Sequence, residues 1–366
     1  MMKGHVLRIR PAVRCSGLCR KRIVAALRFM VGIGLAGSLV HTTLMWTGGD
    51  LGRALAQPGS PLLLFCLFFH GLVVCMTSSR WRLLLNVQGV HISLAEAMRL
   101  TLMGFFFSLA LPGTVSGDVM KMAFVTRRTE TRKAEAAMTV MLDRIFGVFG
   151  LFTVSAVVVM LSLPFLLSLG QEYRLVRISA FLAGSGSLGV IIAFLLLWFH
   201  ESLLRISYAR RLIGFLARRL PEPVVEKFSR LACAIVLYAG KPGIVLSALG
   251  LSVLVHSCLA LNLFCIGRVI GENILGVRDY FLATQVANAV AAIPLTPGGI
   301  GTRDATIALF FNAMNASSDQ IGVIPVVMTV ILVCWGGIGG IIFTLAGQNT
   351  EIPVHKTSDA YGVKPH

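Results

Sequence analysis

Long stretches without a single Asp, Glu, Lys or Arg dominate this sequence. They cover residues 29–49, 54–79, 100–117, 145–171, 178–199, 242–266, 281–302, 305–318 and 321–350. A helix rising 1.5 Å per residue needs about 20 apolar residues to cross a bilayer core. Six of the runs meet that length without a central break: 29–49, 54–79, 145–171, 178–199, 242–266 and 321–350. Composition excludes an arrangement of water-soluble domains instead. The chain is 56% apolar and 13% charged, against about 25% charged in soluble domains. Too little polar surface exists to coat a globule in water, so the chain reads as an all-α polytopic membrane protein.

The basic residues then acquire a meaning. Lys and Arg number 33 against 16 Asp and Glu, a net charge of +17. They fall between the apolar runs, where the positive-inside rule and anionic headgroups place them. No basic–aromatic RNA motif or zinc-finger spacing accompanies them, so nucleic acid is excluded as a partner. Cys66, Cys75, Cys258, Cys265 and Cys334 lie within apolar runs as small hydrophobes, and Cys15 and Cys19 read as a reduced pair in a basic tail. No metal or other cofactor is expected. The N-terminus carries 22 residues of basic region, then Arg28 within the apolar onset, and no clear cleavage site. It reads as a retained first span.

Charge assigns the sides. Residues 1–22 form a basic cytoplasmic tail, with Lys3, Arg8, Arg10, Arg14, Arg20, Lys21 and Arg22. Arg80 and Arg82 mark the return to the cytoplasm, and Lys121, Arg127, Arg128, Arg132 and Lys133 mark it again. The run 100–117 lies between these two cytoplasmic points, so a single crossing there would place the second group on the wrong face. A re-entrant hairpin over 100–125 resolves the parity, turning at Pro112-Gly113-Thr114-Val115-Ser116-Gly117. Each limb is then about half a bilayer long. A second broken element spans 281–314, around Pro297, Gly298, Gly299 and Gly301. The segment 200–241, with Arg210, Arg211, Arg218 and Arg219 among Leu212, Ile213, Phe215 and Leu216, reads as a cytoplasmic amphipathic helix on anionic lipid. Residues 23–346 thus form a single membrane domain of six full spans and two re-entrant broken helices, with a short tail over 347–366 and both termini cytoplasmic.

The two breaks resemble each other: Pro-Gly, small residues, a further Gly, then Asp at 118 and 304. Entering from opposite faces, they make an inverted repeat, a plan in which transporters bind substrate at the breaks. Irregular backbone survives in a membrane only where protein or a polar cavity satisfies it, and half-helix N-termini favour anions. Ser116 and Asp118 read as helix caps, binding groups, or both. Lys121 reads as an Asp118 partner, a headgroup contact or a flanking charge. Asp143 and Arg144 are a flanking ion pair or part of the site. Arg303 and Asp304, between apolar stretches, read as functional because charge in lipid is expensive. His70 and His256 read as packing residues before proton carriers.

Three motifs in this order, LALPGTVSGDVMKM (109–122), MTVMLDRIFGVFGLF (138–152) and AAIPLTPGGIGTRDATIALF (291–310), resemble the flippase-like, or lysylphosphatidylglycerol synthase transmembrane, family. Its best-known relative is the membrane half of the bacterial multiple peptide resistance factor. The resemblance covers most of 20–346. It implies a multi-pass bacterial inner-membrane protein that moves a polar lipid between leaflets. It also implies that Pro112, Gly113, Gly117, Asp118, the Asp143-Arg144 pair, Pro297, Gly298, Gly299 and Gly301 occupy the family's motif positions. Ser108, Ser116 and Asp304 stand where the family often has Asn, Gly and Glu. Bifunctional members add a soluble aminoacyl transferase domain; with 16 residues after Thr350, none is expected here.

The leading expectation is therefore translocation of a phosphate-bearing lipid, with Pro112, Gly113, Ser116, Gly117, Asp118, Lys121, Asp143, Arg144, Pro297, Gly298, Gly299, Gly301, Thr302, Arg303 and Asp304 as the lipid site. No G-x-x-x-x-G-K-[ST] loop occurs, so transport would be downhill or ion-coupled, with Asp118, Asp304 or a histidine as proton sites. A lipid enzyme is disfavoured because no H-E-x-x-H or G-x-S-x-G motif occurs. The other alternative is a partner that presents a lipid carrier to a separately encoded synthase or glycosyltransferase. Cysteines introduced at Thr114 and Thr302 test the topology. Position 114 should label from the cytoplasmic face and 302 from the other, and labelling of both from one face refutes the paired hairpins.

Overall fold

A computed structural model describes residues 60–110, 116–127, 132–198, 240–293, 296–316 and 318–348, with a few isolated positions besides. The described residues are helical, without strands: α1 Leu63–Val87, α2 Leu94–Ala110, α3 Ser116–Thr126, α4 Lys133–Leu161, α5 Leu163–Ser168, α6 Arg174–Trp198, α7 Pro242–Ile270, α8 Val277–Ala291, α9 Thr302–Ala313, α10 Ser318–Ile321 and α11 Val323–Gln348. Four of them, α1, α4, α7 and α11, are long and apolar enough to cross a membrane. Residues 178–198 fall in α6. The basic tail, nearly all of the expected first span, the turn 111–115 and the amphipathic segment up to residue 237 lie outside the described residues.

The run 145–171 is not one helix. The α4 helix starts at Lys133, well before the uncharged stretch, and ends at Leu161. Pro164 enters at the start of α5, and its ring and missing N–H cannot continue the preceding helix.

The outer surface is apolar, while a few charged groups are buried among the helices. Phe68, Met160 and Leu246 are more than 70% exposed, while Arg80, Lys121 and Asp143 are buried. So many large apolar side chains facing outward from helices of spanning length suit a lipid surround. Among the described residues the interior forms three clusters, the largest around Tyr280, Leu282, Phe310 and Phe311 of α8 and α9. A second gathers Trp81, Leu85, Leu100 and Val125 from α1, α2 and α3. The third joins Leu84, Leu142, Phe146 and Val245 from α1, α4 and α7.

Two helical hairpins stand within this bundle. In the first, Ser116 at the start of α3 donates to the Phe107 carbonyl near the end of α2, at 3.1 Å. Gly117 lies against Gly104 and Ser108, and a side chain there would strike the Gly104 carbonyl. In the second, Gly299 lies against Ala291 at the end of α8, and the Tyr280 and Phe311 rings meet edge-on at 5.0 Å. Both pairs of limbs are therefore antiparallel.

Their relative direction follows from α11. Gly336 packs on the backbone of Phe106 and Gly339 on the Leu102 carbonyl, so α11 runs antiparallel to α2. The start of α9 reaches Thr329 through Asp304, while its end leads through α10 to the start of α11, so these two are antiparallel as well. The first limbs, α2 and α8, consequently run in opposite directions. Their tips converge: a Cβ on Gly298 would lie 2.8 Å from the Leu109 side chain.

The α4 and α7 helices approach closely at Gly150, where a Cβ would come within 2.6 Å of the Ser252 side chain and backbone. Gly150→Ala should destabilise the protein by about 1–3 kcal/mol through overpacking. Gly250→Ala, whose Cβ would meet nothing within 4 Å, should not. Thermal unfolding of the two variants in the same detergent gives the comparison.

Candidate functional site

The first hairpin returns beside a buried charge cluster. Four helices supply it: Arg80 and Trp81 from α1, Lys121 from α3, Thr139 and Asp143 from α4, and Ser252 from α7. Arg80 Nε donates to Asp143 Oδ1 at 2.8 Å, and Arg80 Nη1 donates to Ser252 Oγ at 2.9 Å. Lys121 Nζ lies 3.4 Å from the other Asp143 oxygen. It also sits 3.8 Å from the centre of the Trp81 ring, whose Nε1–H donates to Thr139 Oγ1 at 3.1 Å. Packing against the indole face adds a cation–π attraction to the ion pair. Two cations share one carboxylate, which leaves a formal charge of +1 among these groups. In a low-dielectric interior that surplus favours an anion nearby.

Asp143 and Arg144 do not pair with each other. Neighbours in a helix point about 100° apart, and here they take separate partners. Asp143 turns inward to Arg80 and Lys121, while Arg144 reaches Asp118 with a 2.6 Å ion pair at the surface, the two side chains 45% and 27% exposed. Lys121 accordingly takes Asp143 as its ion-pair partner, with Asp118 close enough to act on it electrostatically. Arg80 differs most from the sequence reading. As the first charge after an uncharged run it reads as an interface marker, yet it is buried and holds the cluster together. Arg82, two positions on, is the exposed one and donates to the Ile92 carbonyl.

The second break carries its own polar knot. Gly298, Gly299 and Gly301 have φ of 58°, 74° and 80°, a region open to glycine and strained for side-chain-bearing residues. Asp304 Oδ2 accepts from the Gly301 N–H at 2.9 Å and so caps α9. Its Oδ1 accepts from Thr329 Oγ1 at 2.8 Å and lies 3.4 Å from Arg303 Nη2. Arg303 Nη2 also donates to Thr329 Oγ1 at 2.6 Å. Thr302 Oγ1 donates to the Gly299 carbonyl at 3.0 Å, which ties the turn to the helix it starts.

Of the sequence-predicted residues, Pro112 and Gly113 lie outside the described residues. Ser116 and Gly117 seat the first hairpin, Lys121 and Asp143 join the buried cluster, and Asp118 and Arg144 pair beside it. Pro297, Gly298, Gly299, Gly301, Thr302, Arg303 and Asp304 form the second break. Sequence reasoning missed Arg80, Trp81, Thr139, Ser252 and Thr329. Arg80 carried a usable signal: it directly follows a run already long enough to span, and an aromatic comes next. Among the described residues, no group of three His, Cys, Asp or Glu side chains is placed to hold a metal.

Removing the shared carboxylate isolates two buried cations. Asp143→Asn should cost about 3–5 kcal/mol, whereas Asp118→Asn breaks a partly exposed pair and should cost about 0–1 kcal/mol. Unfolding of the detergent-solubilised variants, followed by far-ultraviolet circular dichroism, measures both.

No curated protein matches this chain. A family match covers residues 29–347, which takes in both hairpins, the buried cluster and all four helices long enough to span. The chain belongs to the lysylphosphatidylglycerol synthase TM region family and is a multi-pass membrane protein.

Proposed function

We propose that the protein moves a polar, phosphate-bearing lipid between the leaflets of a bacterial inner membrane, without ATP. The observation that carries this reading is the meeting of two oppositely directed hairpins at Leu109 and Gly298, beside a buried cluster with one cation in excess. Broken helices from opposed repeats, meeting within the bundle, supply spare N–H donors and positive dipole ends where a headgroup would pass. The surplus positive charge suits a phosphate, and the outward-facing apolar side chains leave the acyl chains in bilayer. Family membership supports the same reading, as does the absence of a nucleotide-binding loop from the sequence. In this reading six spans and two re-entrant hairpins form inverted repeats, with both termini cytoplasmic. The substrate belongs to the phospholipid, aminoacyl-phospholipid or polyprenyl-phosphate class.

Reconstitution in liposomes tests it. With acyl-labelled fluorescent phosphatidylglycerol, dithionite should bleach about half of the label in empty vesicles and nearly all in vesicles holding the protein. Arg80→Gln and Lys121→Gln should slow that exchange. Unchanged bleaching across a panel of anionic phospholipids and polyprenyl phosphates overturns transport and leaves a carrier-presenting partner as the better account.

A further inference from the structure

The buried cluster continues past Arg80 to a histidine. The Arg80 guanidinium donates to Ser252 at 2.9 Å and packs on Gly147, where a Cβ would stand 3.4 Å from Nη2. His256 lies one turn beyond Ser252 on α7, and its Nε2 is 3.1 Å from the Gly147 carbonyl oxygen. One glycine of α4 therefore touches the guanidinium and the imidazole alike. From α8, the fully buried Gln285 donates through Nε2 to the His256 carbonyl at 3.0 Å.

These bonds fix the hydrogens. A carbonyl only accepts, so the ring hydrogen belongs on Nε2, and Nδ1 is left as a bare acceptor. The Gln285 amide is oriented by the same logic, which leaves Oε1 as a second acceptor. Both atoms are shielded from solvent, and neither has a partner among the described residues. Two buried acceptors on contacting residues thus lack a donor, a costly arrangement. A proton on Nδ1 supplies one: it turns the ring into a donor that Oε1 can accept, directly or across a water.

The charges joined to this site by contacts are Arg80 of α1, Lys121 of α3 and Asp143 of α4, with one cation in excess. Of the other helices packed on α7, α8 bears Arg278 and Asp279, about two turns before Gln285, and α11 bears no charge. Further titratable groups are His70 and Cys75 on α1 and Cys258 on α7. An oxyanion on Arg80 and Lys121 would cancel the surplus. An imidazolium one glycine away would then gain attraction where it otherwise meets repulsion.

We propose that His256, with Gln285, is a proton site linked to phosphate binding. A proton from water joins Nδ1 when a lipid phosphate occupies the Arg80–Lys121 cluster, and it leaves when the phosphate leaves. This rests on the transport reading and adds to it the coupling ion. Linkage is reciprocal, so the lipid binds more tightly in acid.

Calorimetric titration of the detergent-solubilised full chain tests this. Dihexanoylphosphatidylglycerol, whose phosphate stays ionised between pH 5 and pH 7, is the probe. Buffers of different ionisation enthalpy give the protons taken up per lipid bound, expected to be about one-half to one. The half-saturation concentration should fall by about tenfold from pH 7 to pH 5. His256→Gln should abolish the uptake and flatten the pH dependence, with binding retained. Gln285→Leu should reduce the uptake, and carries the assignment if His256→Gln does not fold. His70→Gln should leave it whole.

Lipid binding without proton uptake overturns the proton site while the transport reading stands. So does uptake that survives both His256→Gln and Gln285→Leu, or that is lost in His70→Gln. Absence of binding by this lipid and by geranyl phosphate, at any pH, overturns both readings.

Discussion

The Asp143 carboxylate is the joint on which the rest of the bundle depends. Through Arg80 it fastens α4 to α1 and, by way of Ser252, to α7; through Lys121 it holds the returning limb of the first hairpin. That limb is one anchor of the first hairpin, and the packing of α2 on α11 is the other. Ion pairs of this kind contribute little net stability, because removing charge from water consumes most of the attraction. What they confer is position. Each oxygen has a separate cation, so the three helices that carry these charges have one mutual rotation that satisfies all of them.

The two halves solve the same problem differently. The first break is braced by long-range contacts between charged side chains on separate helices. The second is braced partly at short range, by Asp304 folding back on its own helix start and Thr302 closing the turn, and partly by Thr329 of α11. This difference explains how far each was legible. The glycine-rich punctuation of the second break and the long apolar runs could be read in sequence, because each is a local property of composition and spacing. The fastening of the breaks could not. Thr329 and Ser252 are ordinary hydroxyls within apolar helices, and nothing nearby in sequence hints that a charge from another helix will find them.

Arg80 and the paired residues 143 and 144 show the same limit from another side. Counting uncharged stretches treats every basic residue as a boundary, so a cation inside a helix is assigned to a loop. Adjacent opposite charges look like a pair on paper, yet the helical rotation between them sends Asp143 inward and Arg144 outward. Likewise, the α4 helix outruns its apolar stretch at one end and stops short at the other, because Pro164 and packing, rather than hydropathy, set its limits.

The meeting of Leu109 with Gly298 and Gly336 has an electrical consequence. A branched hydrocarbon at the convergence of the two tips offers a hydrated ion no ligand with which to replace its water. An amphiphile differs, since its own chains can follow the helix surface while its headgroup parts the contact. Under the transport proposed above, such a junction would let oily molecules invert while sodium, potassium and protons meet hydrocarbon, and a cell could hold the protein in its energised envelope without short-circuiting it.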